Sequence, residues 1–467
     1  MLTLSKILDV DSTSKGKDQQ AFWNEQCAEI SSQLWLPTAN DLQDLGANSS
    51  SKLLSSMLET SWFSSNVYID SKPNLSKRYS ISSQFLVTKC ADNDIIKSKL
   101  IRIYPNQNQR KVFYYWLGTA RYVYNQTINL LKNYEGKKPS WMDIKKMFTR
   151  LLPTWTKDVP FQIKGIAIKQ AHAAFFATLK ACKGKSVSFR FRSRKDLEQS
   201  CFIPKTAIKA EGIYHTVSGK GLRFSESLPE SVLDSCLVWK SGKFYLAVPY
   251  KTQVVSIGDN QARLVAIDPG VRKFFTFYTE NSCGFVGQAD FSRLQRQAFH
   301  LDKLILKSSE APKQRKQAMF KAANRMRTKI KNLVNELHHK AALFMVKNFD
   351  VILLPTFETK QMTSKAGRKL QSKTVRSLLS FAHYRFKQFL KNKAVEYGKS
   401  IVDVCEAYTS KTHPQTGEIR NIGGAKVVKL LDGSVVDRDI VGARNILLRA
   451  LVDKPDYFDV VAVNHSC

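Results

Sequence analysis

Acidic residues are scarce in this chain: 39 Asp and Glu stand against 73 Lys and Arg, for a formal charge of +34. So large an excess implies a polyanionic partner, of which nucleic acid is the usual one. A membrane surface is the competing explanation. The sequence, however, has no apolar run of about 18 residues. Its opening Met1-Leu-Thr-Leu-Ser-Lys-Ile-Leu8 is too short for a signal segment, so no membrane partner is expected. CxxC pairs are missing as well. Cys27, Cys90, Cys182, Cys201, Cys236, Cys283, Cys405 and Cys467 lie far apart, which argues against a disulfide framework and a cysteine-rich zinc site and suits a reducing compartment.

What is present supports folded domains. Hydrophobic residues make up 43% and aromatics 11% of 467 residues, enough for two or three self-sufficient cores. Residues 1–97 mix Ser, Asn and Asp with short apolar runs such as Leu34-Trp-Leu-Pro37 and have no assignable role. Residues 98–258 read as helices plus small strands. Trp116, Ala120, Tyr124, Ile128 and Leu131 recur at spacings of three and four, the stripe of a helix that packs on one face. A second helix is predicted over Ile163–Lys180, with Ile166, Ala167, Gln170, Ala174, Phe175 and Leu179 inward. The alternation in Val187-Ser-Phe-Arg-Phe-Arg192 predicts a half-buried strand with a basic outer row, suited either to phosphates or simply to water. Leu237–Val248 predicts a hairpin turning at Ser241-Gly242.

From residue 259 the order of elements changes. A short apolar strand, Leu264–Asp268, is followed by Pro269-Gly270 and a second strand, Lys273–Tyr278. Helices follow over Phe291–Ser308 and Lys313–Asn348, then a strand, Val351–Leu354, that ends at Pro355, which has no amide hydrogen for a ladder. A helix, a strand over Ile401–Cys405, a loop and a last helix from about Val441 complete residues 259–452, with a tail at 453–467. Hairpins first and alternating helices and strands afterwards predict an α/β fold of the RNase H-like kind. Between residues 290 and 399 the basic residues number 25 and the acidic ones 7, which draws a nucleic-acid surface toward these helices.

Hydrolysis of a phosphodiester with two metal ions needs several carboxylates together, because the ions sit about 4 Å apart. Asp268 ends an apolar strand just before Pro-Gly, where a charge meets the mouth of a sheet. Asp437 and Asp439 open the last helix; either could cap it, and either could instead pair with Asp268 as a metal ligand. Gly442 and Ala443 are small enough to let that helix approach the sheet. For a third acid, Glu358 and Glu406 compete. Glu406 directly follows its strand, which in the order expected for such a fold lies two places from the Asp268 strand, roughly 9–10 Å away at normal strand spacing. With the resemblance described next, it is favoured over Glu358.

These segments together resemble the transposon-encoded TnpB nucleases and, more closely, their eukaryotic and giant-virus relatives called Fanzor. The resemblance rests on Trp116-Leu-Gly-Thr-Ala-Arg-Tyr-Val-Tyr-Asn125, Ala266-Ile-Asp-Pro-Gly-Val-Arg272, Leu354-Pro-Thr-Phe357 with Met362, Glu406-Ala-Tyr-Thr-Ser-Lys-Thr412 and Asp437-Arg-Asp-Ile-Val-Gly-Ala-Arg-Asn-Ile446. It implies a RuvC nuclease domain of RNase H-like fold preceded by helical and small β-barrel-like recognition modules. By the resemblance, Asp268, Glu406 and Asp439 would bind two Mg²⁺ and cut DNA, Glu406 standing in for a glutamate that many relatives carry where this chain has Pro355. The partners implied are a structured noncoding guide RNA and double-stranded target DNA beside a short motif. One protein copy is expected in the ribonucleoprotein, and the nucleus is the expected compartment. Contacts to nucleic acid are expected from Arg121, Arg190, Arg192, Arg272, Arg325, Lys329, Lys360, Arg368, Lys369 and Arg444. Where relatives carry a zinc ribbon, residues 411–435 offer His413 without a cysteine pair. No zinc is expected there, because a structural site wants four thiolate or imidazole ligands.

Overall fold

The computed structural model describes residues 65–69, 79–81, 94–182, 187–254, 263–356, 363–364, 372–420, 425–453 and 458–460. The chain divides into two compact units, one of residues 93–253 and one of residues 1–92 with 254–467. Strands β1 (Ser65–Ile69) and β2 (Tyr79–Ile81) belong to the second.

The unit of residues 93–253 joins a sheet to a helical layer. β3 (Asp94–Tyr104) leads into α1 (Gln107–Asn133), then α2 (Trp141–Leu151) and α3 (Phe161–Ala181). Helix α1 starts where it does because Asn106 and Gln109 exchange side-chain bonds with each other's backbone amides, at 2.9 and 3.0 Å. Its predicted stripe is the buried one: Trp116, Ala120, Tyr124, Ile128 and Leu131 all enter the core. In α3 the buried set is Ile163, Ala167, Ile168, Ala171 and Phe175, whereas Gln170 and Leu179, expected inward, are exposed.

After α3 come β4 (Glu198–Ile203), the short pair β5 (Ile208–Lys209) and β6 (Gly212–Ile213), a turn of helix α4 (His215–Ser218), β7 (Arg223–Phe224), β8 (Ser235–Lys240) and β9 (Lys243–Gln253). The β8–β9 hairpin turns at Ser241 and Gly242, both at positive φ (47° and 83°), the geometry a two-residue connection between twisted strands requires. Two expectations are corrected here. The five-stranded sheet runs β4-β8-β9-β3-β7 and is open, with no closed barrel among the described residues, because the edge strand β7 is two residues long. Residues 187–193 form no strand. Phe189 stacks on Phe175 at 4.3 Å and Arg192 lies over the Tyr124 ring at 3.7 Å, so packing on helices α3 and α1 replaces a ladder.

The second unit is a six-stranded mixed sheet, ordered β1-β12-β11-β10-β13-β14. β10 (Leu264–Pro269), β11 (Phe275–Tyr278) and β12 (Ser282–Val286) form an antiparallel meander, and β1 adds to its edge. Helices α5 (Gln288–Ser309) and α6 (Lys313–Asn348) carry the chain to β13 (Val351–Pro355), parallel to β10. Then α7 (Ser372–Phe381) and α8 (His383–Glu396) lead to β14 (Ser400–Val404), parallel to β13. The short antiparallel pair β15 (Val427–Lys429) and β16 (Val435–Asp437) precedes α9 (Arg438–Asp453), and β17 (Phe458–Val460) pairs with β2.

The sheet has two cores because strand side chains alternate. Val265, Ile267, Ile352 and Leu354 pack with Leu337, Met345, Phe386 and Leu390 of α6 and α8. Leu264, Ala266, Leu353, Val402 and Val404 pack with Ile440, Ala443, Ile446 and Leu447 of α9. At the starts of the three parallel strands, Asp350 accepts from the Arg263 amide at 3.0 Å and from Lys399 Nζ at 2.5 Å, tying the strand entrances together. Among the described residues no helix is long and apolar enough to cross a membrane.

Candidate active site

The same alternation that builds the two cores delivers the acids. Asp268 shares parity with Leu264 and Ala266, so it lies on the α9 face, at the end of β10 where its backbone still pairs with Thr276 of β11. Glu406 shares parity with Val402 and Val404 and leaves β14 on that same face, whereas Asp403, one residue out of phase, meets Lys387 and Lys391 of α8. Asp439 sits in the first turn of α9. Burial first, and then the negative charges of Asp439 and Glu406, push the Asp268 carboxyl up to about 8, with Arg438 and Lys273 pulling the other way. Of the three sequence-predicted acids, Asp268 thus feels the charge of the other two. The competing Glu358 lies outside the described residues.

Asp437 and Asp439 divide the roles that the sequence leaves open between them. Asp437 accepts from the Asp439 amide at 2.8 Å and so caps the helix, leaving the Asp439 carboxylate to the site. Lys273 Nζ stands 3.0 Å from Asp437 Oδ2 and 3.0 Å from Asp439 Oδ2, with its ammonium 3.5 Å from the centre of the Phe285 ring. Sequence reasoning passed over Lys273 in favour of its neighbour Arg272, although lysine directly before the aromatic run of β11 was the available signal. Gly442 is also part of the site: a Cβ there would lie 2.7 Å from Asp268 Oδ2.

The loop that follows Glu406 is fastened to α9. Asn445 Nδ2 donates to the carbonyls of Thr409 and Thr412 at 2.8 and 2.9 Å, and Arg449 donates to Ala407 O. His383, at the start of α8, donates from Nε2 to Gly270 O at 3.0 Å, bracing the turn after Asp268, and its ring stacks on Phe274.

Among the described residues no group of three or more His, Cys, Asp and Glu side chains is disposed to hold a metal ion. The donor chemistry nonetheless suits hard divalent cations, since the charges of Asp439 and Glu406 acting on the Asp268 carboxyl are negative charge that a cation would neutralise. Within residues 411–435 His413 Nε2 faces Lys429 O at 3.0 Å, in a segment that holds the Thr412–Ile419 bridge and the β15–β16 pair.

Residues 383–446, which contain Glu406 and Asp439, match the family model described as Cas12f1-like, TNB domain, and residues 95–138 match a helix-turn-helix domain model of the OrfB IS605 type. TnpB-like protein L79 of Acanthamoeba polyphaga mimivirus is 24% identical over 392 residues, 78% of this chain and 74% of that protein. The chain is similar to the TnpB-like proteins. A bacterial relative, "Putative RNA-guided DNA endonuclease InsQ" of Escherichia coli (strain K12), is 25% identical over 370 residues, covering 71% of this chain and 86% of InsQ. A solved Cas12f1-sgRNA-target DNA complex aligns with a TM-score of 0.42 at 12% identity, over 76% of this chain and 99% of that one.

The basic residues expected at nucleic acid are distributed unevenly in this chain. Arg190, Arg272, Arg325 and Lys329 are exposed, the last two one turn apart on α6. Arg121 donates to Gln199 Oε1 at 2.5 Å and Arg192 lies against Tyr124, so both are half-buried. Lys360, Arg368 and Lys369 lie outside the described residues. Arg444 is a correction: it is 2% exposed, donates to Pro414 O at 3.3 Å, and packs in the α9 core beside Tyr278. Helical periodicity, which turns it toward the sheet, decides its position over its charge.

Proposed function

We propose that this chain is an RNA-guided DNA endonuclease whose larger unit is a RuvC-type, RNase H-like nuclease domain. The observation that carries the reading is the influence of Asp439 and Glu406, which come from two other elements, on the buried carboxyl of Asp268. Kinship with TnpB-like proteins supports guidance by RNA, and the charge of +34 suits a protein that holds RNA and DNA together.

Asp268, Glu406 and Asp439 would hold Mg²⁺. Such ions, when bound, supply a water acidic enough to attack phosphorus at neutral pH and neutralise charge on the departing 3′ oxygen. The protein's own part is to fix the three carboxylates. β10 and the His383 bond to Gly270 hold the turn after Asp268, Asn445 and Arg449 hold the loop after Glu406, and the Asp437 cap with Lys273 orients Asp439. Products would carry 5′-phosphate and 3′-hydroxyl ends. Residues 98–258 would contact guide and target, and a nuclear site of action follows from the Fanzor resemblance.

Sequencing of RNA that co-purifies with the protein, followed by cleavage assays with that RNA, tests the reading. Asp268→Ala and Glu406→Ala are expected to stop cleavage while binding persists, and Glu358→Ala to leave it intact. Full cleavage by Asp268→Ala, or specific cleavage without any RNA, would overturn the reading. A second reading, a non-cleaving RNA-guided DNA-binding protein, is favoured by the lack of a metal-ready ligand group among the described residues. It would show as guided binding with no product at any Mg²⁺ concentration.

A further inference from the structure

A concentration of positive charge within a concave surface lies far in sequence from the carboxylates. In the unit of residues 93–253, a cleft of about 330 Å³ is lined by Arg102 and Tyr104 of β3, Arg110 of α1, Arg223 of β7 and Lys243 of β9. Among the described residues no carboxylate lines it. Its floor is Ile103 and Phe244, 2% and 3% exposed, and Pro105, Asn106, Gly221 and Gly242 complete the lining. We infer that this cleft is a seat for a short segment of single-stranded nucleic acid, with one base stacked on Tyr104 and its flanking phosphates among the four cations.

Three features carry the inference. None of Arg102, Arg110, Arg223 and Lys243 has a carboxylate partner among the described residues, although nearby Lys99 and Lys240 are paired with Glu226 and Glu198. Four like charges gathered without compensation repel one another, and an anion is what relieves them. Tyr104 is 40% exposed, with Arg102 4.6 Å from its ring centre; a ring backed by a guanidinium on a rigid strand is a platform that accepts any base. The rim is also fixed before a ligand arrives. Gln109, 0% exposed, donates from Nε2 to Gly219 O and Lys220 O at 3.3 and 3.2 Å, while its Oε1 accepts from the Asn106 amide. This glutamine anchors the loop that presents Arg223. Because the Asn106 side chain already satisfies the Gln109 amide, the seat depends on side-chain cations and Tyr104, with no role for the helix end. Register does the gathering: Tyr104 pairs with Arg223 across β3 and β7, and Ile103 with Phe244 across β3 and β9.

The inference rests on the nucleic-acid reading above, and is independent of the cleavage chemistry. Full-length protein freed of co-purified RNA is titrated into a fluorescently labelled 12-nucleotide single-stranded RNA and its DNA counterpart, over a range of salt. Inorganic phosphate and adenosine monophosphate are added as competitors. The double variant Arg110→Ala/Arg223→Ala is expected to weaken binding at least tenfold and to flatten the dependence of log affinity on log salt by about 1.4, since each lost phosphate contact on a single strand removes about 0.7. Tyr104→Ala is expected to weaken binding at least fivefold without changing that slope, and Tyr104→Phe to bind as the parent does. An unchanged slope in the double variant overturns the seat while leaving nucleic-acid binding intact. Competition by phosphate or the mononucleotide at micromolar concentration overturns the assignment to a strand in favour of a small-anion site. If the parent protein binds neither oligonucleotide, the seat and the nucleic-acid reading fail together. Circular dichroism checks that all variants are folded; Arg110 and Arg223 are exposed, so their truncation leaves the core intact.

Discussion

Substituting Gly442 by Ala adds one methyl group at the point where α9 crosses the end of β10. The new Cβ would lie 2.7 Å from Asp268 Oδ2, whereas ordinary contact begins at 3.4 Å, an overlap of 0.7 Å. The helix cannot retreat cheaply. Ile440, Val441, Ala443, Ile446 and Leu447 are each 0% exposed, and moving them outward would open the core above the sheet. The Asp268 backbone cannot yield either, being held in the β10–β11 ladder. The carboxylate must therefore rotate away from the direction that Asp439 and Glu406 share. A displacement approaching 1 Å at a reacting centre costs on the order of 10²-fold in rate. Stability should change little, since overpacking costs about 1–3 kcal/mol and alanine recovers about 1 kcal/mol of helix propensity. The assay is single-turnover cleavage by the guide-loaded protein at saturating enzyme, with thermal unfolding measured in parallel. A fall in rate near 100-fold with a nearly unchanged midpoint is the expected result. Cleavage within threefold of the parent would refute the claim that close approach of α9 sets the Asp268 geometry.

Lys273→Met removes the ammonium that bridges Asp437 and Asp439; the metal-free protein is expected to melt at a lower temperature, and Mg²⁺ to raise its melting temperature by more than it does for the parent, in a scanning fluorimetry titration. His338 and His383 are both buried and pushed down to about 4 by that burial, each donating to a carbonyl. Being neutral in the folded state, they bind fewer protons than in the unfolded chain between about 6.5 and about 4, so stability is present above pH 6.5 and declines as pH falls through that window, by on the order of 3 kcal/mol each. Denaturant midpoints from pH 7 to pH 4.5 check this, and His383→Gln, which keeps a donor but cannot titrate, should flatten the decline. Lys399→Met leaves Asp350, 3% exposed, without the closest of its partners. A loss of about 3–5 kcal/mol is expected from breaking a buried pair on one side, read as a shifted urea midpoint; a loss below 1 kcal/mol would show that Arg263 alone suffices.

Periodicity and punctuation in the sequence determined most of the α/β unit. Apolar runs ending at Asp268, Pro355 and Cys405 become β10, β13 and β14, and the order β10-β13-β14 leaves Glu406 two strands from Asp268 as expected. Asp268 and Glu406 stood out as candidates because a charge directly after an apolar run has few places to go but a sheet mouth. The alternating stretch from Val187 misled because period two reports one buried face without saying whether another strand or a helix covers it. Tertiary structure alone decided the rest. Which of Asp437 and Asp439 caps the helix depends on where an amide points, and the place of Arg444 depends on which face of α9 meets the sheet. Lys273 between two acids, and Arg102, Arg110, Arg223 and Lys243 around one cleft, are juxtapositions across residues distant in the chain. Local sequence fixes hydrogen-bonding periods and turns; packing and register bring far-apart charges face to face.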